Sequence, residues 1–261
     1  MSERPFSQAV ARLSVANPGA SAELPENTIA AFDRAVEVGA PAVEFDVRMT
    51  TDGHAVVMHD ADVDRTTNGS GLVRDLTLDE VRSLRIEAAD GSTHAVPTLH
   101  EVLASLSGRA AVDVEIKNIP GEPDFDPERQ AAVEALHAAL DDVAFVGPVI
   151  VSSFNPLAIA TSRALRPEVP TGLLTEYAVD APAALAYASA EGHPWVLPFV
   201  GKVREAGEAF PRAVHEDGLL LGTWLTDDPA EAVALFRSGV DAVATNDPRA
   251  VVAACAEAFE R

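Results

Sequence analysis

Val43-Glu44-Phe45-Asp46-Val47-Arg48 alternates apolar and charged side chains with the period of a β-strand. Glu44 and Asp46 therefore share one face, and Val43, Phe45 and Val47 share the other. If the apolar face meets covering helices, the two carboxylates point into the interior of a barrel, where uncompensated charge is very costly. Something cationic must answer them. A second stretch repeats the device: Val112, Val114 and Ile116 alternate with Asp113, Glu115 and Lys117, putting two carboxylates and an ammonium on one face. The two strands follow one another in chain order, which predicts that they are adjacent in the sheet.

Short β-branched runs of this kind recur along the chain, alternating with helix-period segments. They are Leu13 to Asn17, Ala42 to Arg48, Ala111 to Ile116, Pro148 to Ser152, Pro170 to Leu174, Trp195 to Leu197, Leu219 to Trp224 and Ala242 to Thr245. Between them, Ile29, Phe32 and Val36, and again Val133, Leu136 and Leu140, recur at the spacing of a buried helix face. Asn155-Pro156, Asp228-Pro229 and Asp247-Pro248 read as helix starts, a capping oxygen followed by a residue with no amide to satisfy. No Gly-rich phosphate turn follows the first strand, which argues against a doubly wound sheet. The fold class predicted is α/β, a (β/α)8 TIM barrel forming one domain over residues 1–261. Its rhythm breaks after the second strand, where an insertion at about 60–110 is expected on the rim as a lid, a pocket wall or inert elaboration.

Glu44, Asp46 and Glu115 offer oxygen ligands with neither Cys nor clustered His beside them, which suits a hard cation, Mg2+ or Ca2+, better than Zn2+. The competing reading is a half-buried strand whose polar face is solvated or paired within the protein. Lys117 on the same face can contact a bound phosphate. Gly53 to Asp60 reads as an extension of the second strand past a Thr51-Asp52-Gly53 turn, with His59 where the apolar run ends. Near a metal-bound phosphate such a histidine can act as acid or base around neutral pH. The other histidines have no comparable context.

With 41 acidic against 19 basic side chains the formal charge is -22, which repels a polyphosphate backbone and excludes nucleic acid as the expected partner. Cys255 is the only cysteine, so no internal disulfide exists. Met1 to Pro5 opens no apolar stretch of signal-peptide length, and no uninterrupted apolar run reaches membrane-spanning length. A cytoplasmic protein without stable membrane insertion is expected.

These residues together resemble the glycerophosphodiester phosphodiesterase family. The resemblance is carried by Pro25-Glu26-Asn27-Thr28, by Glu44 to Val47 with Thr50 and Asp52-Gly53, and by His59-Asp60, Arg65-Thr66-Thr67 and Glu115-Ile116-Lys117. Later echoes are Ser153-Phe154, Trp224-Leu225-Thr226, Gly239-Val240-Asp241 and Thr245 to Pro248. The resemblance implies a metal-dependent barrel in which Glu44, Asp46 and Glu115 are ligands, His59 is one of two catalytic histidines, Lys117 contacts phosphate and Trp224 lines the substrate pocket. The departure lies at the first strand, where Asn17 stands for the other histidine and Pro18 for a phosphate-binding arginine. Asn17 can still hydrogen-bond a substrate but does not titrate. Three functions therefore stay open: a phosphodiesterase-like enzyme acting on a small phosphoester, a lyase or cyclase expelling phosphate or diphosphate, and a non-catalytic binder of a phosphorylated ligand.

Overall fold

The computed structural model describes residues 12–259, so the expectation for Met1 to Pro5 lies outside the described residues. The strands are β1 (Leu13–Ala16), β2 (Ala42–Met49), β3 (Ala55–Val57), β4 (Ile86–Glu87), β5 (Thr93–His94), β6 (Ala111–Ile116), β7 (Val149–Ser153), β8 (Thr171–Thr175), β9 (Trp195–Pro198), β10 (Leu220–Thr223) and β11 (Ala242–Thr245). Eight of them, β1, β2 and β6 to β11, pair in parallel in that order, and β11 pairs back onto β1. The sheet is closed. Each run read from the sequence is found as one of these staves, with ends within a residue of those expected.

The helices are α1 (Ile29–Glu37), α2 (Leu78–Ser83), α3 (Leu99–Leu106), α4 (Ala131–Asp142), α5 (Pro156–Leu165), α6 (Ala181–Glu191), α7 (Val200–Ala206), α8 (Phe210–Glu216), α9 (Pro229–Ser238) and α10 (Pro248–Phe259). Asn155 and Asp228 cap α5 and α9 through their side-chain oxygens, and Asp247 accepts from the Ala250 amide at the start of α10. Val43, Phe45, Val47, Val112, Val114 and Ile116 are fully buried against Phe32, Leu103 and Leu136 of the covering helices. The opposite faces of β2 and β6 look into the barrel. Their lowest inward residues, Ala42 and Ala111, join Leu13, Ile150, Leu174, Trp195 and Leu197 in an apolar floor. Above that floor the inward positions are Glu44, Asp46 and Arg48 on β2, and Asp113, Glu115 and Lys117 on β6 and just beyond it.

Two details differ from the sequence reading. The stretch from Gly53 does not prolong the second strand: β3 folds back antiparallel on β2, pairing Val47 with Val57 and Met49 with Ala55. The reversal is set by Thr50, whose hydroxyl bonds Asp52 and whose amide bonds the His54 carbonyl, and by Gly53, which takes the left-handed φ of 81°. The insertion is also shorter than expected. Helix α3 packs between α1 and α4 as the barrel's covering helix, so the inserted elements end before Leu99. They gather around their own core of Val56, Met58, Val63, Val73, Val81, Ile86 and Val96.

Phe45 is the largest side chain that β2 sends to the helices, with its ring 5.7 Å from Phe32. Phe45→Ala is expected to lower stability by about 3–5 kcal/mol through the cavity it opens, measured by chemical denaturation.

Candidate active site at the barrel mouth

Strand register sets the site. Across the β2–β6 pair Glu44 lies beside Asp113 and Asp46 beside Glu115, so two alternating sequences become one acidic wall. Oxygens of Glu44, Asp46 and Glu115 all lie within 4.8 Å of one another, and all three residues are buried. Among the described residues this is the group of acidic side chains placed to hold a metal ion. At such separations each like-charged pair repels by roughly 3–4 kcal/mol at an effective dielectric of about 20.

The Lys117 ammonium answers part of that charge, 2.8 Å from Glu115 and 3.4 Å from Asp46. Burial works against its charge, but Glu115 and Asp46 outweigh it and hold the ammonium above the usual lysine range. Glu44 receives nothing, for neither of its oxygens has a hydrogen-bond partner. Burial first, and then Asp46 and Glu115, push its carboxyl well above the ordinary range. Burial likewise raises Glu115, and it pushes Asp113 up to about 7 although Ser152 donates to that carboxylate at 2.6 Å. When the three upper carboxylates are ionised, one ammonium leaves two negative charges unbalanced. An ion with two positive charges fits both the charge and the bare Glu44 oxygens.

Asn27 fixes one of these carboxylates. It donates to Asp46 Oδ2 at 2.7 Å and accepts the Asp46 amide at 3.2 Å, from a left-handed conformation with φ of 56° that asparagine tolerates well. The neighbouring Thr28 caps α1, so one tetrapeptide both starts a helix and orients a candidate ligand.

His59 is brought to the wall by the return of β3, since the preceding Met58 amide donates to the Asp46 carbonyl at 3.0 Å. Its Nδ1 lies 2.7 Å from Asp60, which Arg65 holds at 2.6 Å, and Arg65 in turn grips Glu26 with two bonds. Arg65, above all, outweighs burial and lowers Asp60 to about 2, so Asp60 stays a carboxylate at neutral pH and can accept the Nδ1 proton. Nε2 is left as the ring atom free to exchange a proton. Arg48, read from sequence only as part of an alternation, is buried at the top of β2 and uses all its donors. It bonds the His59 carbonyl twice, the Lys117 carbonyl, Asp124 and Glu122. One guanidinium thus ties the backbones of His59 and Lys117 to the connection after β6. The extra charge closing the Val43–Arg48 alternation was its only sequence signal.

The remaining expected residues stand elsewhere on the mouth. Asn17 directly follows β1, its amide donating to the Thr245 carbonyl and its carbonyl accepting from the Ser21 hydroxyl, and half-buried Pro18 comes next. Trp224 directly follows β10, half-buried among other rings.

With this geometry the match to known proteins is specific. Residues 19–250 match the Glycerophosphoryl diester phosphodiesterase family. The chain belongs to that family. It is 34% identical over 247 residues to a glycerophosphodiester phosphodiesterase of Caldanaerobacter subterraneus subsp. tengcongensis, covering 92% of this chain and 96% of that protein. A Bacillus subtilis glycerophosphodiester phosphodiesterase is 31% identical over 248 residues, 90% of this chain and 84% of that one. Among solved structures, a phosphodiesterase of Oleispira antarctica in complex with sn-glycerol-3-phosphate superposes with a TM-score of 0.81 at 22% identity, covering 97% and 99% of the two chains. A glycerophosphodiester phosphodiesterase of Agrobacterium tumefaciens gives a TM-score of 0.75 at 26% identity, covering 92% of this chain and 99% of that one. The glycerophosphoryl diester phosphodiesterase fold thus spans this chain almost end to end, and no described helix is long and apolar enough to cross a membrane.

The raised carboxyls give a signed test. Their folded values exceed unfolded values of about 4, so the folded state resists their ionisation, and they lower stability progressively as pH rises from about 4 through 7. Buried His137 and His193, depressed chiefly by burial, act in the opposite sense: they favour the fold above their unfolded value and weaken it as pH falls. A difference between samples with a divalent ion and with chelator cancels the histidines. The ion-induced rise in Tm is expected to be larger near about pH 8 than near about pH 5, by differential scanning calorimetry.

Proposed function

We propose that the chain is a divalent-metal-dependent, phosphodiesterase-like hydrolase acting on a small phosphoester. The observation that carries this is the bare Glu44 carboxylate, buried beside Asp46 and Glu115 with no partner, in a chain of this family. Glu44, Asp46 and Glu115 would hold the ion, and their all-oxygen set favours Mg2+ or Ca2+. When bound, such an ion polarises a phosphoryl oxygen and offsets the charge that develops on it. Lys117 supplies a second, fixed positive charge to the phosphate. Asp60 holds His59 at Nδ1, and Nε2 exchanges the proton between nucleophile or leaving group and solvent. His59→Ala is expected to lower turnover of a phosphodiester panel by about 10²- to 10⁴-fold while leaving the ion-induced gain in Tm intact. Unchanged turnover would remove His59 from the mechanism.

Asn17 and Pro18 favour a second reading. Hydrolysis of an alkyl phosphodiester asks for a proton on a poorly departing alkoxide as well as an activated nucleophile, and Asn17 titrates with neither. A leaving group that departs as phosphate or diphosphate needs no such proton, so lyase or cyclase chemistry fits the same carboxylates, Lys117 and His59. On this second reading the native chain consumes prenyl diphosphates faster than glycerophosphodiesters, and on the first the order is reversed, which product analysis separates. Asn17→His with Pro18→Arg should raise glycerophosphodiester hydrolysis by about 10²-fold or more. Rapid hydrolysis by the native chain would show that neither residue limits it, and inertness toward both substrate classes would favour a phospholigand-binding role.

A further inference from the structure

Arg48 follows Glu44 and Asp46 on the inward face of β2, about 7 Å along the strand from Asp46. A guanidinium in that position has a ready counter-ion in the acidic wall beneath it. All five of its N–H groups are spent elsewhere. Its charged partners are Asp124 at 2.6 Å and Glu122 at 2.7 Å, both on the connection between β6 and α4, and its other bonds go to the carbonyls of His59 and Lys117.

That connection is not held by packing. None of residues 118–129 is buried, and the segment borders an open cleft of about 310 Å³ that it shares with Met49, Thr50 and Arg74. At its base Asn118 closes it, donating to the carbonyls of Asp126 and Arg129 and accepting the Asp126 amide. Nearer the tip, Glu122 and Asp124 reach across to Arg48. Asp124 Oδ1 is buried without a partner, so this carboxylate is kept in place at a cost that its pairing with Arg48 offsets. Lys117 alone leaves the wall two negative charges for an ion, whereas an Arg48 turned onto the wall would leave one. It would also crowd Lys117, whose ammonium it already opposes.

We infer that Glu122 and Asp124 are positioning residues: they hold Arg48 off Glu44, Asp46 and Glu115, which keeps the wall charged for a divalent ion, and over the carbonyls of His59 and Lys117. The inference rests on the reading of the acidic wall as the ion site. A buried guanidinium takes an ionised partner in preference to carbonyl dipoles, so without Glu122 and Asp124 the wall is where it would turn. The connection after β6 therefore tunes the ion site without supplying a ligand to it.

A double-mutant cycle read by isothermal titration calorimetry with magnesium chloride and with calcium chloride tests this without requiring turnover. Glu122→Gln with Asp124→Asn is expected to weaken ion binding by at least about ten-fold. Arg48→Gln alone should leave it within about three-fold of native, and Arg48→Gln in the neutralised background should restore it to that level, because the loss exists only while Arg48 can reach the wall. A long-range effect of the lost charges would instead be additive, the same with Arg48 or without it. Glu122→Asp with Asp124→Glu keeps both charges and should hold the native affinity. Asp124→Asn alone, on a connection that buries no residue before α4, is a milder variant and should shift affinity in the same direction. An additive cycle, unchanged affinity in the neutralised variant or an equal loss in the charge-keeping swap would overturn the inference. The two readings fail separately. A coupled cycle in a chain that turns over no phosphoester keeps the inference and discards the hydrolase, and an additive cycle in a chain whose turnover needs the ion does the reverse. No binding of either ion by the native chain would overturn both.

Discussion

Three carboxylates are buried close together at the mouth of a closed sheet, and the remaining architecture there can be understood as the answer to that charge. Outward-facing valines and Phe45 anchor β2 and β6 under the helices, so their alternate residues have nowhere to point but inward. Lys117 neutralises part of the charge and leaves Glu44 bare. Burial of unbalanced carboxylates is costly, and a divalent ion held by them would offset that cost.

The groups around the carboxylates are arranged by a second set of charges, paired with one another and with backbone carbonyls. Arg48 spends every donor on holding the backbones of His59 and Lys117 and the acidic connection after β6. Glu26, Arg65 and Asp60 form a chain ending at the His59 ring. The two sets of bonds fix the His59 ring and the Lys117 backbone in place, and fixed placement of reacting groups is worth orders of magnitude in rate wherever a site is catalytic. Asn17 and Pro18 directly follow β1, outside both sets.

Opposite the charge, Phe154, Phe199 and Trp224 directly follow β7, β9 and β10, Tyr177 lies just beyond β8, and Trp224 is in ring contact with the other three. The inserted elements after β3 pack on a core of their own. The barrel's staves therefore need not adjust to them.

The period-two alternation of Val43–Arg48 and Val112–Lys117 was enough to fix which residues are buried under helices and which face inward, because a strand offers only two faces. The two acidic staves and the inward placing of the candidate ligands Glu44, Asp46 and Glu115 were legible on that ground, and the Asx-Pro helix starts were legible from capping chemistry. The direction of β3 was not, since a turn residue such as Gly53 permits reversal without demanding it, and neither was the place of α3, whose helical period is the same in an insertion as in a barrel. Only the tertiary structure decided that Arg48 reaches His59 and Lys117, that Asn27 grips Asp46, and that four rings from separate staves meet at Trp224. Those contacts join residues distant in the chain, and no local pattern encodes a partner that register and closure alone bring within reach.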